Sequence, residues 1–594
     1  MAAPFTDSRR LIGHNRFFDG PGAVLESAAP DTDAALVEDW MRRVLRARQK
    51  LGWPAGAIVA IPHASGASLA ISAAPDQLIT ATEVNEWALA ASLFARSPAR
   101  EAELLAALAF EQPDATEAPG LEEAPALERL AARAAAEANP RLRALLAAAQ
   151  DRALPCLLDD EFLSVGAGAG GKTWRLADLP AISDVPWAAL RSIPIALVTG
   201  TNGKTTVVRL IAACAQAAGW TAGLSCTDGL YIGGAGIETG DYSGPAGART
   251  VLRDRRVEAA ILETARGGLL RRGLAVPRAR AAVVTGVSAD HFGEYGVHDL
   301  ESLVDVKLAV ARALDGHGRL IVNADDALLV ARAPAAGKTI AWFAQDANHE
   351  VLLAHRRAGG TTCGVAGGRL LLSAGAQQHD LGSVTSLPLT AGGLATFNIA
   401  NLAATALAAV ALGVRPEMIA TVFARFGADP LDNPGRLMRY ELGGLQLIVD
   451  FAHNPAALTG LLELAGRSQS RRLALLLGQA GNRADADIER LARVAAAARP
   501  DLVVVKELAG YRRGRDEGEV PGILRRTLHD AGLADSAIRE QADELAATRT
   551  ALAWARAGDV LVLPLHSATG RADVLALLER MRRTGWTAGK AVPS

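Results

Sequence analysis

Cysteine and aromatic residues are scarce in this chain. Its 594 residues include four cysteines, none in a CxxC pair, and only 4% are aromatic. Such widely spaced cysteines exclude a disulfide framework or a structural zinc site as the basis of the fold. Abundant alanine and glycine with few aromatic residues favour helix-rich α/β layers over a β-sandwich.

An excess of charge and long hydrophobic runs are also lacking. Lysine and arginine number 62 against 64 aspartates and glutamates, which leaves a formal net charge of −2. This balance produces no basic field to attract nucleic acid or an anionic membrane, and we expect neither as a partner. No apolar run is long enough for a membrane span or a signal peptide. The composition therefore predicts a soluble, cytoplasmic protein.

The chain length suggests three or four domains. From about residue 190, short apolar runs alternate with helical stretches, as in parallel sheets covered by helices on both faces. The predicted buried strands lie at 195–198, 259–262, 281–284, 320–322, 447–449, 473–477, 502–505 and 560–563. Nearer the N-terminus, the pattern predicts a buried strand at 56–61 and an alanine-rich helical stretch from about 125 to 150, ending near Asp151.

A glycine-rich segment at 198–206 reads V-T-G-T-N-G-K-T-T between a predicted strand and a helix that begins near Lys204. Glycines let backbone N–H groups face phosphate oxygens, and the helix N-terminus adds its positive dipole end. Lys204 can reach the outer phosphates, and the Thr205 hydroxyl can bind Mg²⁺. The general motif GxxxxGK[ST] would require glycine at Val198, so this loop is a variant. The predicted nucleotide-binding residues are Gly200, Thr201, Asn202, Gly203, Lys204, Thr205 and Thr206.

This variant loop resembles the nucleotide-binding signature of the Mur ligase superfamily. Three downstream segments are most similar to the C-terminal half of cyanophycin synthetases: T-D-G-L-Y-I (227–232), G-D-Y-S-G-P (240–245) and L-E-T-A-R-G-G-L-L-R-R-G (262–273). The resemblance extends from about residue 185 to 590. Residues 8–13 and 20–25 resemble the N-terminal domain of the same enzymes. Cyanophycin synthetases carry an ATP-grasp domain between these regions, and the intervening segment here is too short for one.

The resemblance implies a multidomain α/β protein. We expect an α+β N-terminal domain at 1–185 and a central parallel-sheet P-loop ATPase domain at 186–432. A smaller Rossmann-like C-terminal domain is expected at 433–594.

Four residues are the candidates for catalysis. Glu263 follows a predicted buried strand, where a carboxylate is costly unless it meets a cation. The resemblance implies that Glu263 coordinates Mg²⁺ with Thr205 and that His291 binds a second Mg²⁺. It also implies that Lys307 is carbamylated and that the carbamate helps to hold a metal. With Lys204, the predicted catalytic set is Lys204, Glu263, His291 and Lys307.

Further contacts are implied by the same resemblance. Asn323 in N-A-D-D is expected to contact adenine, Arg436 in N-P-G-R to reach ATP, and Asp450 in D-F-A-H-N-P to lie near the ribose. The family usually has Thr-Asn where this chain has Thr285-Gly286, and histidine where it has Phe397. The candidate substrate residues are Asp228, Asp241, Arg266 and His453.

Together these features predict an ATP- and Mg²⁺-dependent amide ligase that produces ADP. It would activate a carboxylate as an acyl phosphate and join it to the amine of an amino acid or short peptide. The alternative is a nucleotide-binding partner subunit or scaffold that works with a separate ATP-grasp ligase. ADP release that depends on an amino acid would separate the two. The sequence leaves a homodimer open.

Overall fold

A computed structural model describes residues 4–28, 32–111, 120–289, 292–466 and 472–593. The chain forms two compact units, Met1–Phe343 with Leu407–Arg415, and Ala344–Ala406 with Pro416–Ser594. No helix of the described ranges is long and apolar enough to cross a membrane. The four cysteines are free thiols.

The first unit begins with a four-stranded antiparallel sheet in the order β1-β2-β4-β3. Its strands are β1 (Phe5–Leu11), β2 (Gly22–Ala28), β3 (Ile58–His63) and β4 (Gly66–Ser72). The helices of this region are α1 (Ala34–Lys50), α2 (Leu78–Arg96), α3 (Glu101–Glu111), α4 (Glu123–Glu137) and α5 (Pro140–Asp151). Trp40 of α1 and Trp87 of α2 are fully buried in the core against one face of the sheet. A small antiparallel sheet follows, with β5 (Cys156–Leu158), β6 (Phe162–Val165) and β7 (Lys172–Arg175).

One local prediction is confirmed with a break that the sequence did not indicate, and another was wrong. The stretch predicted as helical over about 125–150 is helical and ends at Asp151, but it forms two helices, because Pro140 cannot continue a helix and the Asn139 side chain caps α5 by accepting from Leu142 N. The strand predicted as buried at 56–61 is β3, which lies at the edge of its sheet and is only half-buried. An apolar run shows that a strand forms but not how many neighbours pair with it.

The rest of the first unit is a mainly parallel sheet whose order is β11-β10-β9-β12-β8-β13-β14-β15. Its strands are β8 (Ile195–Thr199), β9 (Ala222–Cys226), β10 (Gly229–Ile232), β11 (Ala235–Thr239), β12 (Ala259–Glu263), β13 (Ala279–Val284), β14 (Leu314–Asn323) and β15 (Ile340–Asp346). Its helices are α6 (Lys204–Ala217), α7 (Pro245–Arg253), α8 (Arg266–Arg272), α9 (Leu300–Leu308) and α10 (Ala327–Arg332). Strands β12, β8 and β13 are adjacent and parallel, so their carboxyl ends meet at one edge. Ligands bind at this edge in open α/β sheets.

The second unit contains an antiparallel group of strands, β16 (Thr362–Ala366), β17 (Arg369–Ala374) and β18 (Gln377–Ser383). Its main sheet is parallel except for β19 and has the order β19-β20-β24-β21-β22-β23. These strands are β19 (Met438–Leu442), β20 (Leu445–Asp450), β21 (Leu473–Leu477), β22 (Leu502–Lys506), β23 (Ile538–Gln541) and β24 (Val560–Pro564). The remaining helices are α11 (Glu350–Arg357), α12 (Thr396–Leu412), α13 (Pro416–Phe423), α14 (Pro455–Gly466), α15 (Asp485–Ala497), α16 (Glu519–Asp530), α17 (Glu544–Trp554) and α18 (Ala568–Arg583).

Apolar cores cover both faces of this second sheet. The predicted fold class is therefore confirmed: a multidomain α/β protein with two mainly parallel sheets and an N-terminal α+β region. The domain boundaries at 185/186 and 432/433 remain predictions.

Candidate functional site

The predicted phosphate loop connects β8 to α6. Every residue of β8 is buried, and α6 begins at Lys204, as expected. Gly200 has a φ of +142°, and a Cβ there would lie 1.9 Å from Thr285 Oγ1. Only glycine fits this position, because both the backbone conformation and the space exclude a side chain.

The end of β13 braces the loop. Thr285 Oγ1 donates to the carbonyl of Asn202 at 2.5 Å, and Thr201 N donates to the carbonyl of Gly286 at 2.9 Å. Ser288 N donates to Thr201 Oγ1 at 3.0 Å. The phosphate loop is thus held in place by residues that lie more than eighty positions later in the chain. Sequence analysis identified Thr285-Gly286 only as a departure from the family pattern and did not predict that these residues hold the phosphate loop in place.

Lys204 lies at the N-terminus of α6 with its ammonium held at the loop. Its Nζ donates to the carbonyl of Thr201 at 3.0 Å. The residue is half-buried. A cation at this point lies beside the backbone amides that face a bound phosphate in loops of this type.

Glu263 ends β12 and is 1% exposed. Its carboxylate accepts from Thr205 Oγ1 and from Thr227 Oγ1, both at 2.8 Å. Within the described ranges no lysine, arginine or histidine forms an ion pair with it. A buried carboxylate needs a cation or a metal to offset its desolvation. The arrangement of Thr205, Thr227 and Glu263 therefore fits a hard divalent cation, which prefers oxygen ligands. The sequence did not identify Thr227.

The other two predicted metal ligands have different outcomes. Lys307 lies on α9, which is capped by Asp299, and it is only 3% exposed. A solvated helical lysine would be exposed, so Lys307 is not an ordinary surface residue. His291 lies outside the described residues. The described part of the chain holds no cluster of three histidine, cysteine or acidic side chains placed to bind a metal.

Asn323 and Asp326 lie at the carboxyl end of β14, beside the brace of the loop. Asn323 Nδ2 donates to the carbonyl of Thr285 at 3.1 Å, and its Oδ1 accepts from Asp325 N at 2.9 Å. Asp326 Oδ2 accepts from Val287 N at 2.8 Å. These contacts tie β14 to the segment that supports the phosphate loop.

Asp228, a candidate substrate residue, is engaged by the protein. Its Oδ2 accepts from Arg209 at 3.0 Å, and the two side chains are 6% and 8% exposed. The Arg209 guanidinium also lies 5.7 Å from the centroid of the Tyr231 ring. This nearly buried ion pair joins α6 to the start of β10.

The remaining candidate substrate residues of the first unit are Asp241 and Arg266. Asp241 is exposed, and its Oδ1 accepts from the backbone and hydroxyl of Ser243. Arg266 begins α8, is 9% exposed and pairs with Glu294. Asp241 therefore presents an open carboxylate, whereas Arg266 is fixed by a neighbouring loop.

In the second unit, Arg436, Asp450 and His453 gather around Phe451. The guanidinium carbon of Arg436 lies 4.3 Å from the Phe451 ring centroid. Asp450 Oδ2 accepts from Leu437 N at 2.7 Å. Burial raises the pKa of Asp450, and Arg436 opposes that rise. His453 Nδ1 donates to the carbonyl of Phe451 at 3.1 Å. Arg436, which precedes β19, thus lies beside Asp450 and His453, which are at the end of β20 and in the loop that follows it.

A buried ionic cluster supports the loop after β20, and sequence analysis did not predict it. Lys506 Nζ donates to Glu544 Oε1 and to the carbonyl of Pro564, both at 2.5 Å. His566 N donates to the same carboxylate, while His566 Nε2 donates to the carbonyl of Ala452 at 2.9 Å. The cluster therefore holds the backbone between Asp450 and His453.

Comparison with known proteins places this site in a family. The model of the Mur ligase middle domain matches residues 198–409, and the model of the Mur ligase glutamate ligase domain matches residues 435–564. Cyanophycin synthetase of Synechocystis sp. is 37% identical over 332 residues, which are 56% of this chain and 38% of that protein. The UDP-N-acetylmuramoyl-L-alanyl-D-glutamate--2,6-diaminopimelate ligase of Xanthomonas campestris pv. campestris is 30% identical over 64% of this chain and 72% of that enzyme.

Among solved structures, E. coli FolC in complex with ADP matches with a TM-score of 0.47 and 18% identity, covering 66% of this chain and 90% of FolC. This chain spans about two fifths of the length of the cyanophycin synthetases that it matches. The diaminopimelate ligase is covered over most of its length, and both Mur domain models match in the expected order. The predicted resemblance is confirmed, and the chain belongs to the Mur ligase family.

Proposed function

We propose that this chain is an ATP-dependent amide ligase that joins a carboxylate to the amine of an amino acid or short peptide. The observation that carries the proposal is the buried Glu263, bonded to the Thr205 hydroxyl at the start of the phosphate-loop helix. Nucleoside-triphosphate sites place a hydroxyl and a carboxylate together in this way to hold Mg²⁺ beside the phosphates.

The residues that would hold the nucleotide and metal follow from this arrangement. Thr205 and Glu263 would hold one Mg²⁺, and Lys307, as a carbamate, and His291 would serve a second. Bound Mg²⁺ neutralises charge that develops on the transferring phosphoryl group. The buried position of Lys307 supports this role, since carbamylation replaces an ammonium by an anion that can bind a metal.

The chemistry then proceeds in two transfers. An oxygen of the acceptor carboxylate attacks the γ-phosphorus of ATP, the bond to the bridging oxygen breaks, and ADP leaves. Lys204 stabilises charge on the phosphoryl oxygens in the transition state. The amine nitrogen attacks the carbonyl carbon of the acyl phosphate, phosphate departs with the bonding electron pair, and the nitrogen loses a proton. The active site must exclude water, because water would hydrolyse the acyl phosphate.

The substrate class is proposed from the relatives. The name of the Xanthomonas relative describes a ligase that acts on diaminopimelate and an alanyl-glutamate precursor. We propose amino acids or short peptides as substrates of this chain, with Asp241, Arg266 and His453 as the residues to test first. A separate ligase with an ATP-grasp domain is the partner that the alternative requires.

The test measures ADP release by the purified chain with ATP, Mg²⁺ and a panel of amino acids and dipeptides. We expect release to depend on an amino acid and to be nearly abolished in Lys204→Ala, because the cation at the loop is lost. Lys172→Ala, which removes an exposed lysine of β7, is the matched control. Nucleotide binding without amino-acid-dependent release would contradict the ligase and support the partner-subunit alternative.

A further inference from the structure

The N-terminal sheet carries a row of polar side chains on the face opposite its α1 and α2 core. Arg9 of β1 and Glu26 of β2 form an ion pair at 2.6 Å, with side chains only 6% and 5% exposed. Ser68 of β4 donates to the other oxygen of Glu26, also at 2.6 Å. Burial alone would raise the pKa of Glu26, but contacts with His63, Arg9 and Ser68 bring it down to about 2.

Arg9 reaches across to the ATPase region. Its Nε donates to the carbonyl of Leu270 in α8 at 2.8 Å, and its guanidinium lies 4.6 Å from the centroid of the Tyr295 ring. Tyr295 lies in the segment 292–298, beside the Glu294 that pairs with Arg266 at the start of α8. The Arg9 guanidinium therefore contacts both α8 and the segment 292–298, and that segment in turn pairs with Arg266, the first residue of α8.

The segment 292–298 lies directly against the sheet. Gly296 has a φ of +67°, and a Cβ there would lie 2.7 Å from Ser68 Oγ and 2.8 Å from His63 Cδ2. Ser65 Oγ bridges His63 Nδ1 at 3.1 Å and His298 Nε2 at 3.0 Å. The rings of His63 and His298 stack with centroids 5.3 Å apart. This close fit leaves no room for a side chain at Gly296.

The same segment leads directly into α9, which carries the buried Lys307, a proposed ligand of the second metal. Contacts that fix the backbone leading to a ligand help to orient it, as partners bonded to the ligand itself do. Arg9 makes these contacts although it lies 261 positions before Leu270.

We infer that Arg9 and Glu26 are positioning residues of the ligase, through which the N-terminal sheet holds α8 and the segment 292–298 in place for metal and substrate binding. The inference rests on the proposed function. The N-terminal sheet is then a working part of the active site rather than a separate module. Its loss would affect the second metal and Arg266, and it would leave the phosphate loop intact.

The test is the double variant Arg9→Met with Glu26→Gln. It removes both charges together, so neither is left buried and unpaired. We expect the Mg²⁺ concentration for half-maximal ADP release to rise by about tenfold, the lower end of the effect of losing a partner bonded to a ligand, because Arg9 acts on Lys307 only through the segment 292–298. ATP affinity should stay within about twofold of the wild type, since neither residue contacts residues 200–206 and distant sites act independently.

Arg10→Met is the matched control, because Arg10 is the next residue of β1 and pairs instead with Asp160 at the surface. Hydrogen exchange should quicken in 266–272 and 292–298 of the double variant but not of the control. Faster exchange with an unchanged Mg²⁺ requirement would show a purely structural role and overturn the inference. An unchanged exchange rate and Mg²⁺ requirement would overturn it as well.

Folding of the double variant is checked by its thermal unfolding midpoint. If it does not fold, Arg9→Lys replaces it, since lysine keeps the charge opposite Glu26 but cannot reproduce the guanidinium contacts with Leu270 and Tyr295. A raised Mg²⁺ requirement in Arg9→Lys supports the inference, and an unaltered requirement refutes it. A wild-type chain that releases no ADP with any amino acid would instead refute the proposed function.

Discussion

Acidification from pH 7 to pH 5 should destabilise the second unit through His566. Burial, followed by the nearby Lys506, lowers the pKa of His566 from 6.5 to about 3, although Glu544 opposes the shift. In the unfolded chain the imidazole takes up a proton below pH 6.5, whereas the folded protein takes it up only near pH 3. The unfolded state therefore binds more protons between these values, and stability must fall as the pH falls.

The size of the effect follows from the unfolded state. With an unfolded pKa of about 6.5, protonation favours unfolding by about 2 kcal/mol on going from pH 7 to pH 5. The result needs only a folded pKa well below 5, which the burial of His566 provides. Glu544 adds nothing in this window. Its pKa is lowered to about 2, so its stabilising contribution is complete above the ordinary value of 4.5 and is lost only below it.

The assay is urea unfolding at pH 7 and pH 5, followed by hydrogen exchange of peptides from β22 and β24, which flank the cluster. His566→Gln should remove most of the difference, because glutamine keeps a donor for the Ala452 carbonyl but does not titrate. His529→Gln, which replaces an exposed histidine of α16, is the matched control and should show the same loss of stability between pH 7 and pH 5 as the wild type. Equal pH dependence in wild type and His566→Gln would refute the reasoning.

Three further outcomes are expected. Gly200→Ala should weaken ATP binding about tenfold or more in equilibrium titration. The added methyl group would clash with Thr285, and backbone strain of about 1–3 kcal/mol would distort the loop. Wild-type affinity for ATP would contradict the loop assignment. Lys307→Ala should lose ADP-forming activity, and added formate should restore part of it by replacing the carbamate; an unaffected variant would make Lys307 a simple core residue. Purified alone with ATP, Mg²⁺, aspartate and arginine, the chain should form no long polymer detectable by mass analysis, because the two different bonds of such a polymer need two acyl-phosphate sites and the sequence contains one phosphate-loop motif. Polymer formation would reveal a second catalytic centre.

The sequence alone was sufficient for the parts of this protein that depend on neighbouring residues. Parallel strands covered on both faces are continuous apolar runs, so β8, β12 and β13 were predicted close to their observed positions. The phosphate loop was recognisable because its glycines and Lys204 are contiguous. Each of these features is encoded within about ten residues.

Local sequence patterns did not predict where one residue pair ends a helix or which strands pair with a given strand. The Asn139-Pro140 break was hidden in an alanine-rich stretch that otherwise favours helix on both sides. The edge position of β3 depends on which strands pair with it, and an apolar run carries no such information.

Tertiary structure alone decided how the site is supported. Thr205 meets Glu263 across 58 positions, and Arg9 meets Leu270 across 261. Threonine, arginine and glutamate are common on protein surfaces, so nothing in their local sequence distinguishes Thr227, Thr285, Arg9 or Glu26 from solvated residues. Their roles arise because folding buries them next to one another, where an unpaired polar group is costly and each must find a partner.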